Sequence, residues 1–247
     1  MAVAELVLVR HGESMGNLAA ANAHAADAEV IEVGQRDADV PLSPTGVEQA
    51  QALGAGLSAL LADRRPTLVW SSPYVRAQQT AEVALAASGQ PLPILVDERL
   101  RDRELGILDL LTTKGVASRY PLEAERRQWL GKFYHRPPGG ESWADVVLRI
   151  RSFLVDLEAV PDETRGVLVC HDALVMMVRY VCERLSEADV LAIGAATPVL
   201  NVSITQLVRD PSTRLWQLQR FNDVSHLEAS SAPVTRHGGE GNVHPVS

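Results

Sequence analysis

The sequence predicts an α/β fold, a three-layer αβα sandwich around a mainly parallel sheet with an antiparallel edge. Three observations carry that prediction. Short runs rich in Leu and Val, at 5–9, 67–70 and 166–170, alternate with longer stretches whose apolar residues recur at helical spacing. Two β-like runs, 201–208 and 215–221, are separated by Asp210-Pro211-Ser212 and read as a hairpin. The 247 residues are 46% hydrophobic and 22% charged, which suits one large core and not a disordered chain.

Residues 5–9 predict a buried strand, because apolar side chains fill both faces and a polar turn with Gly12 follows at once. Residues 14–29 are alanine-rich and helical in part, and 30–42 form a loop. Ser43-Pro44 supplies an N-cap and a first-turn proline, after which Val47, Ala50, Leu53, Leu57 and Leu60 share a helical face. Strand 67–70, helix 74–87 and a third strand within 91–96 come next. Residues 97–140 mix charge, Gly and Pro with helical patterns at 115–120 and 123–132, which predicts an inserted lid or substrate-selecting subregion. Residues 18–42 are a second substrate-selecting segment. Val146, Ile150, Phe153, Leu154 and Leu157 mark a helix over 142–157, and strand 166–170 leads to a helix over 174–185. One domain is expected over 1–228. Residues 229–247 lack periodicity and predict a disordered tail, in which His237 and His244 receive no role.

With 23 Lys and Arg against 31 Asp and Glu, the formal net charge is -8. That excludes a general binder of nucleic acid or anionic membranes, both of which need a basic face. A small anionic substrate, sensing only a local cationic pocket, is still allowed. No run of about 18 apolar residues and no secretory n- and h-region is visible, so a cytoplasmic protein is expected. Cys170 and Cys182 are too few for a disulfide framework. A homodimer is compatible with the sequence, which sets no oligomeric state.

In open α/β sheets ligands collect beyond the carboxyl ends of strands. Here those ends carry Arg10-His11-Gly12-Glu13-Ser14 with Asn17 a turn later, Ser71-Ser72-Pro73 with Arg76, and His171-Asp172. Two arginines and two histidines at one sheet edge suit a phosphoryl group. Guanidinium forks match phosphate oxygens, a neutral imidazole attacks phosphorus, and Gly12 lets backbone approach the ligand. The same arginines oppose a cation, so no metal is expected, and no cofactor.

The stretch from Val9 to Ser14 resembles the Arg-His-Gly signature of the histidine phosphatase superfamily, whose best-known members are the cofactor-dependent phosphoglycerate mutases. Pro41-Leu42-Ser43-Pro44-Thr45-Gly46, Ser71-Ser72-Pro73 with Arg76-Ala77, Gly139-Gly140-Glu141-Ser142 and the strand into His171 extend the likeness over roughly 5–227. The resemblance implies that His11 is the nucleophile that becomes phosphohistidine. It implies that Arg10, Arg76 and His171 bind the phosphoryl group, with Asn17 a further donor. Neighbouring guanidiniums would keep His11 neutral, and His171 would gain from being cationic beside phosphate.

For the general acid, Asp102 stands where the family segment carries a Glu four residues before Gly106, and Glu104 lies two residues on. In an extended segment the two point to the same side and titrate as a pair. Asp172 is a third candidate, by likeness to the acid-phosphatase branch. The Glu-Arg-His-Tyr-Gly stretch and Gly-Leu-Asn-Lys continuation of the mutases are missing, which favours a phosphatase of small phosphorylated substrates. A phosphoglycerate mutase and a non-catalytic phospholigand-binding protein are the alternatives. Trp70, Trp143 and Trp216 are read as packing residues, and His135 as a polar loop residue or substrate contact.

Overall fold

A computed structural model describes residues 3–63 and 65–237. Its strands are β1 Glu5–Arg10, β2 Thr67–Ser71, β3 Ile94–Val96, β4 Arg165–Cys170, β5 Ile204–Arg209 and β6 Trp216–Asp223. Its helices are α1 Met15–Ala25, α2 Pro44–Leu60, α3 Val75–Ser88, α4 Thr113–Arg119, α5 Pro121–Tyr134, α6 Trp143–Asp156, α7 Asp172–Cys182, α8 Glu187–Ala196 and α9 Ser225–Ala229. The strands form one sheet in the order β3-β2-β4-β1-β5-β6. The first four are parallel, β5 runs antiparallel to β1, and β6 antiparallel to β5. This is the predicted α/β sandwich, antiparallel edge included.

Strand alternation divides the core in two. Leu6 and Leu8 of β1, with Leu168 and Cys170 of β4, pack against α6 and α7. Val7, Val9, Val167 and Val169 face the opposite way, toward Leu53 and Leu57 of α2 and Ala77, Ala81 and Ala84 of α3. Because both faces are covered, all six residues of β1 and of β4 are buried. Each fully buried leucine or valine here contributes about 1.5–3 kcal/mol.

Helix boundaries follow local chemistry. Ser43 accepts from Gly46 N and Pro44 occupies the first turn of α2. Ser142 and Asp145 form a capping box on α6, and Gly89, at φ 69°, ends α3 in the left-handed region. The ladder of apolar positions on α2 is buried at Ala50, Leu53 and Leu57, with Val47 and Leu60 at its margins. The alanine-rich segment leaves the helical state at Ala25, short of residue 29. Helix α8 has no counterpart in the sequence reading. Its apolar residues do not gather on one face, and only Val190 is buried.

The inserted subregion 97–140 contains α4 and α5 and is tied to the loop after α1. Val30 bridges Leu111, Ile31 N donates to Leu110 O, and Thr112 N donates to Glu29 O. The two segments expected to select substrate are therefore joined.

The tail requires a correction. Helix α9 and residues up to 237 are folded onto the domain. Ala232 packs on the α2–α3 core, while Gln49 Nε2 donates to Pro233 O and to Thr235 Oγ1. Thr235 Oγ1 also donates to Asn201 Oδ1. Small polar residues without periodicity look like a loose tail in sequence, but here their backbone and hydroxyl groups satisfy buried side chains, above all Gln49. Residues 238–247, with His244, lie outside the described residues.

Candidate active site

Register assembles the site. Arg10 of β1 pairs with Cys170 of β4, so His11 and His171, the next residue on each neighbouring strand, stand side by side with ring centroids 5.1 Å apart. Ser71 of β2 pairs with Val169, which brings Ser72 Oγ to 2.8 Å from His171 Nε2. His171 occupies the N-cap of α7 without capping it, and its imidazole is turned to the site instead.

His11 is buried and its Nδ1 lies 2.7 Å from Gly12 O. A carbonyl can only accept, so Nδ1 holds the proton and Nε2 presents a lone pair. Arg76 Nε donates to that Nε2 at 3.3 Å. Burial, followed by the charges of Arg76, His171 and Arg10, pushes the His11 pKa well below its ordinary 6.5. The imidazole is a neutral base with its nucleophilic nitrogen aimed at the arginine.

All five Arg76 donors are engaged. Beyond Nε, Nη1 donates to Asp37 O at 2.6 Å and Oδ1 at 3.1 Å, and Nη2 donates to Asp37 Oδ2 at 3.0 Å and Asp102 Oδ2 at 3.2 Å. An internal carboxylate thus sits on the guanidinium edge that the sequence assigns to phosphate. Arg10 donates through Nη1 to Val199 O and His237 O, and its buried Nε has no partner among the described residues.

The three carboxylates separate clearly. Asp102 Oδ2 is 3.1 Å from His171 Nδ1, an ion-pair distance at a poor hydrogen-bond angle. Burial opposes its charge, yet His171, Arg76 and the Arg103 backbone N–H outweigh burial and hold the carboxyl far below the usual range. Burial likewise pushes His171 down, against the pull of Asp102, so the free protein does not favour a cationic His171. Glu104 does not share the side of Asp102. It is half-exposed and accepts from Tyr74 OH at 2.9 Å, behind the ring that packs on His171 at 5.1 Å. The extended-strand argument fails because 98–108 is two short 3₁₀ turns with irregular chain between them. Asp172 lines the cleft from the first turn of α7, its Oδ1 accepting from Ala173 N.

Arg10, His11, Arg76, Asp102 and Asp172 line a cleft of about 220 Å³ together with Asn17, Asp37, Asp109 and Trp143, whereas Glu104 does not reach it. Gly12 does not line it. A Cβ at Gly12 would stand 2.7 Å from Gly46 O, and one at Gly46 would stand 2.0 Å from Glu13 O. The glycine pair lets α2 approach the strand-end loop, so Gly12 serves packing, not ligand approach as its place in the motif suggests.

A family model described as histidine phosphatase superfamily (branch 1) matches residues 6–224. The chain belongs to the histidine phosphatase superfamily. It is 31% identical over 198 residues to a 2,3-bisphosphoglycerate-dependent phosphoglycerate mutase of Sinorhizobium fredii, covering 78% of this chain and 86% of that protein. A mycobacterial glucosyl-3-phosphoglycerate phosphatase, solved as a complex with VO3, superposes with TM-score 0.69 at 28% identity over 90% of this chain and all of that one. The fold is shared too by a putative α-ribazole-5'-P phosphatase from Escherichia coli, with TM-score 0.70, 19% identity and coverage of 90% and 97%.

Several residues of this superfamily member's site are silent in its sequence. Asp37 lies in a loop with no periodic signal. Tyr74 and Ser72 flank Arg76 and could have been suspected from that proximity. Trp143, read as packing, borders the cleft beneath the Lys132 ammonium, which is 4.7 Å from its ring centroid. His135 is buried against Glu123 at 3.2 Å and its carbonyl accepts from Arg103, away from the cleft. His237 has a contact after all, with its Nε2 2.7 Å from Glu13 Oε2.

Proposed function

We propose that the protein is a phosphomonoester hydrolase that works through a phosphohistidine at His11 Nε2. The observation that carries this reading is the fixed tautomer of a buried, neutral His11, with its lone pair facing Arg76 and with Asp102 Oδ2 3.1 Å from His171 Nδ1 beside it. Nε2 attacks phosphorus as the bond to the leaving oxygen breaks. Arg10, Arg76 and His171 take up the equatorial charge, with Asn17 a further donor. Asp102 is the proton donor. When the dianion draws Arg76 and His171 toward itself, the carboxyl loses the partners that hold it ionised, gains a proton from solvent and passes it to the leaving alkoxide. Water then attacks the phosphohistidine, returning its proton to Asp102, and His11 is released neutral with inorganic phosphate.

Quenching during turnover and finding acid-labile, base-stable phosphate on wild type but not on His11→Ala tests the reading. Full turnover by His11→Ala refutes it. The likeness to phosphoglycerate mutases favours a second reading, phosphate return to a reoriented glycerate. Interconversion of 2- and 3-phosphoglycerate, dependent on a bisphosphoglycerate primer, would select it. Vanadate binding without turnover on any phosphomonoester would select a phospholigand-binding protein.

A further inference from the structure

We propose that Arg149 is the positioning residue of Asp102, through a guanidinium fork that Glu141 holds in place. This rests on the phosphatase reading, in which Asp102 is the proton donor, and deepens it. Asp102 lies outside the sheet, in irregular chain between the 3₁₀ turns Glu98–Leu100 and Gly106–Leu108, so no strand ladder fixes where its carboxylate points. Arg149 supplies the restraint. It follows the fully buried Val146 by one turn of α6 and is next to the fully buried Ile150, so the core fixes its base. From there Nη1 donates to Arg99 O at 2.6 Å, and Nη2 donates to Asp102 O at 3.1 Å. The fork is kept flat against the chain by Glu141, whose Oε1 accepts from Nε and Oε2 from Nη2, both at 3.0 Å.

Glu141 is itself anchored, because it immediately precedes the capping box of Ser142 and Asp145. Its carboxylate also accepts from Arg101 Nη2 at 2.7 Å and from Glu104 N at 3.3 Å. Its carbonyl accepts from Arg103 Nε at 2.6 Å, and its N–H donates to Glu104 O at 2.8 Å. Each residue from Arg101 to Glu104 is therefore tied to α6 or to the residue before it. Arg149 meets Asp102 at the main-chain carbonyl, whereas the groups that hold the carboxyl ionised are His171, Arg76 and the Arg103 N–H. It sets where the acid stands and leaves its partners to others. That matters because a proton donor must come within about 2.6–3.2 Å of the leaving oxygen, and misplacement by about 1 Å can cost about 10²-fold.

Phenyl phosphate and 4-nitrophenyl phosphate share a ring and differ in how much the leaving oxygen needs a proton. Their kcat/KM values report transfer to His11 and not the later attack of water. Arg149→Met keeps the bulk and removes the fork. It should lose about tenfold on phenyl phosphate and about twofold on 4-nitrophenyl phosphate. In an Asp102→Asn background the same substitution should cost less than about twofold on phenyl phosphate, since no acid is left to position. Arg149→Lys keeps the charge but cannot span two carbonyls and a carboxylate, and should stay within about threefold of Arg149→Met. Vanadate inhibition checks that each variant is folded; if Arg149→Met fails that check, Arg149→Lys carries the same comparisons. Equal losses on the two esters overturn the proposal, as does a full further loss in Asp102→Asn or full rescue by lysine. If wild type releases phosphate from neither ester, the hydrolase reading fails by itself. Titration of the His171 ring by NMR then decides the positioning independently. Asp102 pulls the His171 pKa up, so Arg149→Met should lower it as Asp102→Asn does, and an unmoved titration overturns the proposal.

Discussion

Replacing Asp37 by alanine should make the protein bind phosphate more tightly, although Asp37 lies in the binding cleft. In the free protein its carboxylate holds Arg76 by two charge-assisted hydrogen bonds, at 3.1 and 3.0 Å, while its backbone carbonyl holds Nη1 at 2.6 Å. Alanine removes the first two contacts and leaves the third. Arg76 is buried but the Asp37 side chain is 36% exposed, so the pair is screened on one side. A contribution of about 1 kcal/mol, the upper end for exposed pairs, is appropriate. A site closed by that amount is open roughly one-sixth of the time, and apparent affinity falls by the same fraction. Asp37→Ala should therefore lower the Ki of vanadate and of inorganic phosphate about fivefold, measured by competition against an aryl phosphate. KM should fall in parallel. The turn itself persists, because Arg36 and Asp39 remain paired. Unchanged or weaker vanadate inhibition would refute the reasoning and would make Asp37 a ligand-positioning group instead of a competitor.

Further outcomes follow from the same geometry. Asp102→Asn should reduce kcat about 10²–10⁴-fold on an alkyl phosphate, with a smaller loss on an aryl phosphate whose leaving group needs no proton; Glu104→Gln should stay within about threefold in both assays. Thr235→Ala removes the hydroxyl shared between Gln49 and Asn201, at 2.8 and 3.1 Å, and should lower stability by about 1–2 kcal/mol, read as a fall in denaturation midpoint. His11, His171 and His226 all have pKa values pushed below 6.5 by burial. The unfolded chain therefore binds more protons than the folded one below about pH 6.5, so Tm should decline from pH 7 to pH 5 and hold steady from pH 7 to pH 8. A Tm that rises on acidification would reverse the assigned direction.

The sheet was legible because its strands are short apolar runs with both faces filled, and the strand-end rule then brings His11, Arg76 and His171 together without further information. Register added what the motif lacked. The sequence holds no sign that Arg10 pairs with Cys170, yet that pairing sets the two imidazoles side by side. Asp37, Tyr74 and Thr235 escaped because each acts through a contact across 39 or more residues of chain, which local periodicity does not report. Glu104 misled for a related reason. Its spacing from Asp102 is informative only in a regular strand, and the backbone there is not one. Gly12 lies in a motif that invites a ligand argument, whereas its missing Cβ answers to the backbone of Gly46.

Under the proposed phosphomonoester hydrolysis, the acidic balance of the chain and an anionic substrate are reconciled at Arg76. In the free protein Asp37 and Asp102 neutralise that guanidinium, and Asp102 also faces His171. The site is therefore an assembled set of ion pairs and not a bare cationic hole, which would be costly to bury. A phosphoryl dianion enters by substitution. It takes Arg76 from Asp37 and draws both Arg76 and His171 away from Asp102. The two displaced carboxylates then have different fates. Asp37, at the exposed side of the cleft, regains water. Asp102, held between Arg76 and His171 and out of reach of bulk solvent on most sides, is left with burial and a neighbouring dianion, both of which favour the protonated form. On the proposed hydrolase reading, binding thus converts Asp102 from the partner of Arg76 and His171 into an acid beside the leaving oxygen, and a site that is closed without substrate acquires its proton donor only when phosphate is present.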